Sequence, residues 1–396
     1  MAEKEVVIVG GARTAIGSFG GSLKDVSVVD MAVVAMKGAL EKTGVEPEQL
    51  DEVIMGHSRQ AGGGPNAPRI ASIKAGIPST VPAYGIQKAC IAGMKALMLA
   101  ADSIRLGQAD IVLAGGMEHH SSIPYLALNN RWGARLGDVT LVDAMYADGY
   151  RCGIEQRQMG ELTDDLAKEY EITREEQEQF ALESQQKYKA AKERGFYPKS
   201  IVPLEIPQRR GPALVFDEDE CPRPDTTPEA LARLRPAFSA DGTITAGTSP
   251  PIPDGACCVV VMSREKADEL NLEPLGAIRS YWVSAVEAKY FGVAPVPAVK
   301  KALQLADLNL DDIDLVEVNE AFAAQVLAVE RDLGLDRSKL NVNGGAIAMG
   351  HPTGMSGARL PLELLLTLKE RGERYGLASI CGNGGNGGAM VLEASS

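Results

Sequence analysis

The sequence predicts a layered α/β protein built from two similar halves, each with a mostly parallel sheet, and a polar excursion inserted between them. Three observations carry this. Short β-branched runs alternate with helical patterns across short connections, as in layered α/β domains. The order of parts in residues 1–120 recurs in residues 274–396. Residues 121–244, in contrast, are polar, irregular and rich in charges and prolines. The expected division is residues 1–120 with 245–273 as the first half, 121–244 as a loop domain, and 274–396 as the second half.

Taken in order, residues 5–9 form an apolar run ending in Gly10-Gly11, a buried strand followed by a turn. Arg13 to Gly17 reads as a loop, and Asp30 as the N-cap of a helix over 30–40. Residues 51–55 form a second strand, and 81–86 a short extended segment leading to Cys90. A helix over 91–106 follows, then a strand over 109–114 closing at Gly115-Gly116. Within the excursion, helices over 158–170 and 173–195 stand out. The second opens on Thr173-Arg174-Glu175-Glu176, a capping box. Long insertions of this kind usually cover active sites. Strand character returns at 256–262 and at 274–280, followed by a helix over 297–306 and a strand over 314–318. Asn319-Glu320-Ala321-Phe322-Ala323 opens a helix, Pro361 bends a later one, and strands over 376–380 and 389–392 close the chain. Residues 51–55 match 314–318, the Cys90 junction matches the His351 junction, and 109–116 matches 378–385. Equivalent loops at a pseudo-twofold would bring Cys90, His351 and Cys381 together.

Bulk properties narrow the function. At 396 residues the chain exceeds one ordinary core. A net charge of -13 argues against nucleic-acid binding, which needs a basic face. No apolar run approaches the length of a membrane span, and the start lacks a signal-peptide layout. Six cysteines without a Cys-x-x-Cys pair fit a reducing cytoplasm, with Cys257 and Cys258 as small core residues. His57, His119 and His120 make no metal pattern, and the His119-His120 pair reads as part of a surface or interface loop. No P-loop, dinucleotide fingerprint or Gly-x-Ser-x-Gly elbow of the right context appears.

The candidate chemistry sits in residues 341–357, which hold five glycines and His351 between Gly350 and Pro352. The glycines would let a ligand approach the main chain. Cys90 precedes a helix start, where the helix dipole favours thiolate and a nearby histidine would add to it; a buried structural cysteine is the alternative. Cys381 precedes a glycine-rich run whose N–H groups suit an oxyanion hole or a tight turn. Asn319 either caps a helix or holds a water or a carbonyl oxygen.

Cys90, the run from Asn319 to Ala323, the run from Gly344 to Gly357 and the Cys381 glycine loop occur in one order that closely resembles the thiolase family, of the acetyl-CoA acetyltransferase type. Arg13 to Gly17, Gly115-Gly116-Met117-Glu118, Pro124-Tyr125-Leu126 and Leu234 to Phe238 extend the resemblance over nearly the whole chain. It implies thiolase-like duplicated βαβαβαββ halves in an α-β-α-β-α stack. It also implies that Cys90 carries the acyl group, and that His351 activates Cys90 and, with Asn319 acting through a water, holds the enolate oxygen. Cys381 would move the α-carbon proton, and the N–H groups of Cys90 and Asn383 would form a second oxyanion hole. Coenzyme A and acyl contacts would fall to Arg223, Phe238, Met159, Gln158, Ser249 and Phe322. The implied partners are acetyl-CoA, acetoacetyl-CoA or another 3-oxoacyl-CoA, and CoA, as substrates and products, with no metal or redox cofactor. A homo-oligomer, tetramer over dimer, follows from the similarity of residues 121–138 to the loop through which many thiolases pair dimers. The sequence departs from the usual family pattern at Ile91-Ala92, Gln158, Pro250 and Asn383, positions that bear on which acyl group is used. A thiolase for longer or unusual chains, a decarboxylating condensing enzyme and a non-catalytic scaffold subunit are the competing readings.

Overall fold

The computed structural model describes residues 4–395; residues 1–3 and 396, the outermost ends of the two halves expected from the sequence, lie outside the described residues. The first half runs β1 (Val6–Arg13), α1 (Val28–Thr43), β2 (Glu52–His57), α2 (Ala67–Lys74), β3 (Ala83–Ile86), α3 (Ala92–Arg105) and β4 (Ile111–His119). An excursion follows, carrying α4 (Met159–Glu169) and α5 (Arg174–Glu193), and β5 (Pro253–Ser263) returns to the sheet. The second half runs β6 (Gly276–Ala285), α6 (Pro295–Ala306), β7 (Leu315–Val318), α7 (Ala323–Leu333), α8 (Thr353–Arg371), β8 (Tyr375–Gly382) and β9 (Asn386–Ala394).

The strand orders repeat: β3-β2-β4-β5-β1 in the first half, β7-β8-β9-β6 in the second. The slot β3 fills is taken in the second half by Leu340, bridged in parallel to Val316. The halves join edge to edge through two residue pairs, Val7 with Ala277 and Ile8 with Gly276. Each sheet is mixed rather than mostly parallel: β2 runs parallel to β3 and β4, but β5 is antiparallel to β4 and β1, and β9 to β8 and β6. The tight connection between β8 and β9 leaves no room for the crossover that parallel pairing needs.

Helices α3 and α8 pack on each other between the sheets, while α1 lies outside the first sheet and α6 outside the second. Every residue of α8 from Thr353 to Leu365 is buried, as befits a helix enclosed on all sides. The helix continues through Pro361. Backbones approach closely here: a Cβ on Gly93 would sit 2.7 Å from the Gly354 oxygen, and one on Gly357 2.4 Å from the Met94 nitrogen.

Capping differs from expectation at one end and agrees at another. Helix α1 starts at Val28, not at Asp30, because Ser27 accepts the Asp30 N–H (3.1 Å) and takes the cap. At α5, Thr173 accepts from the Glu176 N–H (3.2 Å) while Glu176 accepts from the Thr173 N–H (2.7 Å), completing the capping box. His119 and His120 are buried rather than on a surface loop, because β4 continues through His119 into the sheet interior. Cys257 and Cys258 are buried on β5, as small core residues. Among the described residues no helix is long and apolar enough to cross a membrane.

Candidate active site

Cys90 occupies the turn between β3 and α3. Ala89 before it has φ +46°, a left-handed conformation that costs a residue with a Cβ and that concentrates at functional sites. Ser58 Oγ donates to the Ala89 carbonyl (2.7 Å) and holds this turn. The backbone N–H groups of Cys90 and Asn383 act to lower the Cys90 thiol. Burial nevertheless pushes the thiol up to about 11, with Arg59 pulling it down and Glu118 pushing it up. Desolvation thus opposes the thiolate that a helix start favours. The helix itself begins only at Ala92, and desolvation outweighs the donors.

His351 lies just before α8, the position in the second half that Cys90 holds in the first. Its Nδ1 is 2.7 Å from Ser356 Oγ, and that hydroxyl donates to the Pro352 carbonyl (3.1 Å). With its hydrogen committed to Pro352, Ser356 accepts from Nδ1–H, so Nε2 is the unprotonated nitrogen. Nε2 faces Asn319 Nδ2 at 3.4 Å. Burial lowers the imidazole to about 3, with His120, Arg59 and Arg359 adding to the effect. A thiol raised by burial and an imidazole lowered by it line one cavity, an arrangement suited to proton transfer once a substrate arrives. Alkylation of Cys90 by iodoacetamide should therefore keep accelerating with pH toward about 11. A plateau around neutral pH would reveal a preformed thiolate–imidazolium pair instead.

Asn319 does not cap α7, which starts at Ala323 with Phe322 at the cap position. Its own N–H donates to the Ser379 carbonyl (2.9 Å), tying it to β8. Its Oδ1 is buried without a hydrogen-bond partner among the described residues. Neighbouring Glu320 accepts from Ser184 Oγ (2.8 Å), Asn341 Nδ2 (2.9 Å) and the Ile347 N–H (2.9 Å). That carboxylate staples the Asn319 turn to the stretch leading to His351. Cys381, near the end of β8, is buried, and its thiol is raised well above the usual cysteine range by burial and by Cys90.

Cys90, His351, Cys381 and Asn383 line one cavity of about 310 Å³ with Gln158, Met159, Phe238, Ser249 and Phe322. Phe238 meets Phe322 edge-on at 5.8 Å. Thus the excursion walls the cavity, together with loops from both halves. Arg223 is exposed and is not on this wall; its N–H donates to Gln185 Oε1 (2.8 Å). The glycines of residues 344–357 also stay off the wall. They make room for protein: Gly345 for the Glu320 carboxylate, Gly354 for the Met117 carbonyl of β4, Gly357 for α3.

Two residues that the sequence did not single out, Arg59 and Tyr150, lie near Cys90 together with Glu118. Arg59 is buried, with its guanidinium carbon 4.4 Å from the centre of the Tyr150 ring. Its N–H donates to Glu118 Oε1 (3.1 Å), while Glu118 Oε2 accepts from Thr353 Oγ1 (2.6 Å) and the Gly354 N–H (3.0 Å). His120, lowered to about 4 by burial and by Arg59, is neutral beside them. Asn383 Nδ2 donates to the carbonyls of Gly149 (2.7 Å) and Arg151 (3.2 Å), anchoring the cavity's rim.

A half-buried cysteine, a buried one and a histidine around one largely apolar cavity have the make-up of an acyl-transfer site. The chain belongs to the thiolase family. Residues 6–265 match the family model described as "Thiolase, N-terminal domain", and residues 272–394 match "Thiolase, C-terminal domain". The chain is 49% identical over 389 residues to the acetyl-CoA acetyltransferase of Cupriavidus necator, covering 98% of this chain and 99% of that protein. It is 47% identical to a probable acetyl-CoA acyltransferase of Staphylococcus aureus (strain COL), covering 98% of each. The crystal structure of the Bacillus anthracis acetyl-CoA acetyltransferase superposes with a TM-score of 0.97 at 46% identity, covering 100% of both chains. That of human mitochondrial 3-ketoacyl-CoA thiolase in complex with CoA gives 0.95 at 39% identity, covering 99% of this chain and 98% of the other. The fold is thus the duplicated thiolase fold that the resemblance implied, and the protein is an enzyme of that class.

Proposed function

We propose that this thiolase joins two acetyl-CoA into acetoacetyl-CoA, and cleaves acetoacetyl-CoA in reverse, through an acetyl thioester on Cys90. The observation that carries the reading is the convergence of Cys90, His351 and Cys381 on one cavity, with His351 Nε2 left unprotonated. In the first half-reaction His351 Nε2 takes and keeps the Cys90 proton, the sulfur attacks the thioester carbonyl, and the expelled CoA thiolate takes the proton of Cys381, leaving Cys381 as the thiolate base. In the second, Cys381 takes a proton from the methyl carbon of the next acetyl-CoA. The resulting enolate oxygen is held by His351 and Asn319, while the N–H groups of Cys90 and Asn383 receive the oxyanion that forms on the acetylated sulfur's carbonyl. Gln158, Met159, Phe238, Ser249 and Phe322 would flank the acyl group and the pantetheine arm, with Arg223 outside the cavity toward the nucleotide end. No redox equivalents are consumed, so the scheme needs no redox cofactor. The acetyl group is favoured by the names of the relatives. The test is incubation with acetyl-CoA and peptide mapping by mass spectrometry: acetyl is expected on the Cys90 peptide, and label elsewhere would reassign the nucleophile.

The same reading includes a cytoplasmic homo-oligomer, a tetramer rather than a dimer. Trp132 and Leu136 are 91% and 98% exposed, with Leu128 and Leu141 also exposed nearby. Large apolar side chains displayed together mark a contact surface. Sedimentation should report a mass of four chains, and a single-chain mass would remove this part of the proposal.

A further inference from the structure

A second cavity, of about 410 Å³, adjoins the first, and the two share Cys90, Arg59, Gly149 and Asn383 as lining. Their characters differ. The first is walled largely by aromatic and aliphatic side chains; the second by Ser58, Gln87, Lys88, Asp148, Arg151 and Asn386. Three cations, Arg59, Lys88 and Arg151, thus face one acid, Asp148, in a chain whose net charge is -13. Arg59 is already balanced by Glu118 at 3.8 Å on its far side, yet its Nε is buried without a partner among the described residues. Lys88 Nζ meets only the amide oxygen of Asn386, at 3.4 Å, and the Arg151 guanidinium only the Gln156 carbonyl, at 3.2 Å. Neither has a carboxylate partner among the described residues.

A cationic, polar chamber opening on the sulfur that carries the acyl group is unsuited to a methyl-ended chain, which would desolvate those charges for nothing in return. We infer that the second cavity receives a distal carboxylate of the acyl group on Cys90, so that the enzyme also accepts 3-oxoacyl thioesters of short dicarboxylic acids. This rests on the thiolase reading. In cleavage, His351 Nε2 takes the Cys90 proton, the sulfur bonds to the 3-carbonyl carbon and the C2–C3 bond breaks. C2 takes its proton from Cys381 and leaves as acetyl-CoA. The carboxylated remainder stays on Cys90 until the thiol of a second CoA displaces it, its proton passing to the Cys381 thiolate while His351 returns its proton to the Cys90 sulfur.

The test compares thiolysis of 3-oxoadipoyl-CoA with that of 3-oxohexanoyl-CoA, which has the same chain ending in methyl, with acetoacetyl-CoA alongside. The wild-type kcat/KM should favour the carboxylated substrate by roughly 10- to 100-fold, the range for charge-assisted hydrogen bonds. In Lys88→Met and Arg151→Met that ratio should fall toward unity; being a ratio within one preparation, it is immune to partial misfolding. A wild-type ratio at or below unity, or turnover of acetoacetyl-CoA alone, would overturn the inference while leaving the thiolase reading intact. Failure on all three substrates, with no acyl group found on Cys90, would overturn both.

Discussion

Cys90→Ala should abolish acyl-enzyme formation and lower turnover by at least ~10⁴-fold, the scale of losing a nucleophile from a concerted site. Cys381→Ala should separate the two half-reactions. That variant keeps the Cys90 turn, its two N–H donors and the unprotonated His351 Nε2. It should still load acetyl onto Cys90, yet condense ~10²- to 10⁴-fold more slowly, the usual contribution of a positioned acid–base group. Mass spectrometry of the intact protein reads the first step and acetoacetyl-CoA formation the second. If Cys381→Ala fails to acylate although it folds, the proton at the α-carbon belongs to another group. If Cys90→Ala still acylates, the nucleophile has been misassigned.

Arg13→Met should destabilise the fold by about 3–5 kcal/mol, as breaking a buried ion pair does when charges are left behind. Arg13 is fully buried at the end of β1. It grips Asp219 of the excursion with two nitrogens (2.7 and 3.0 Å), and its Nε donates to Glu363 of α8 at 2.7 Å. Arg359 donates to the other Glu363 oxygen (2.7 Å), and Tyr188 OH to Asp219 (3.1 Å). One guanidinium therefore joins the first half, the excursion and the second half. Burial works to raise the Glu363 carboxyl, but Arg13 and Arg359 overcome it and hold Glu363 below the usual carboxylate range. A lowered folded-state pKa contributes stability above the unfolded value, near 4.5, that disappears as pH falls through the folded one. The variant's urea midpoint should accordingly drop most at neutral pH and less in acid. An unchanged midpoint at neutral pH would show that the network contributes nothing net.

The parts of this enzyme legible in sequence were those written as local patterns. The strand–helix alternation, the capping box at Thr173 and the recurrence of the Cys90 junction at His351 are all contained in short windows. Cys90, His351 and Cys381 could be named because each stands at a junction of elements, and their order carried the family resemblance. What escaped depends on distance. Arg59 meets Thr353 across 294 residues, and Glu118 meets Gly354 across 236, separations no periodicity encodes. The desolvation acting on Cys90 escaped because a helix start suggests only the attractive dipole, whereas burial is a property of the whole assembly. The glycines around His351 were legible as special but not as to why: they admit neighbouring backbone and side chains, not substrate.

The pairing of β1 sets a timetable for synthesis. Both of its neighbours, β5 and β6, are encoded far downstream, the nearer starting at Pro253. At ~5–20 residues per second a ribosome needs on the order of ten seconds to a minute to cross that interval. Until then Val6-Val7-Ile8-Val9, buried in the finished protein, has neither edge covered. The nascent chain thus carries an open, aggregation-prone strand through most of its translation. The excursion that walls the active site is also what delays its closure.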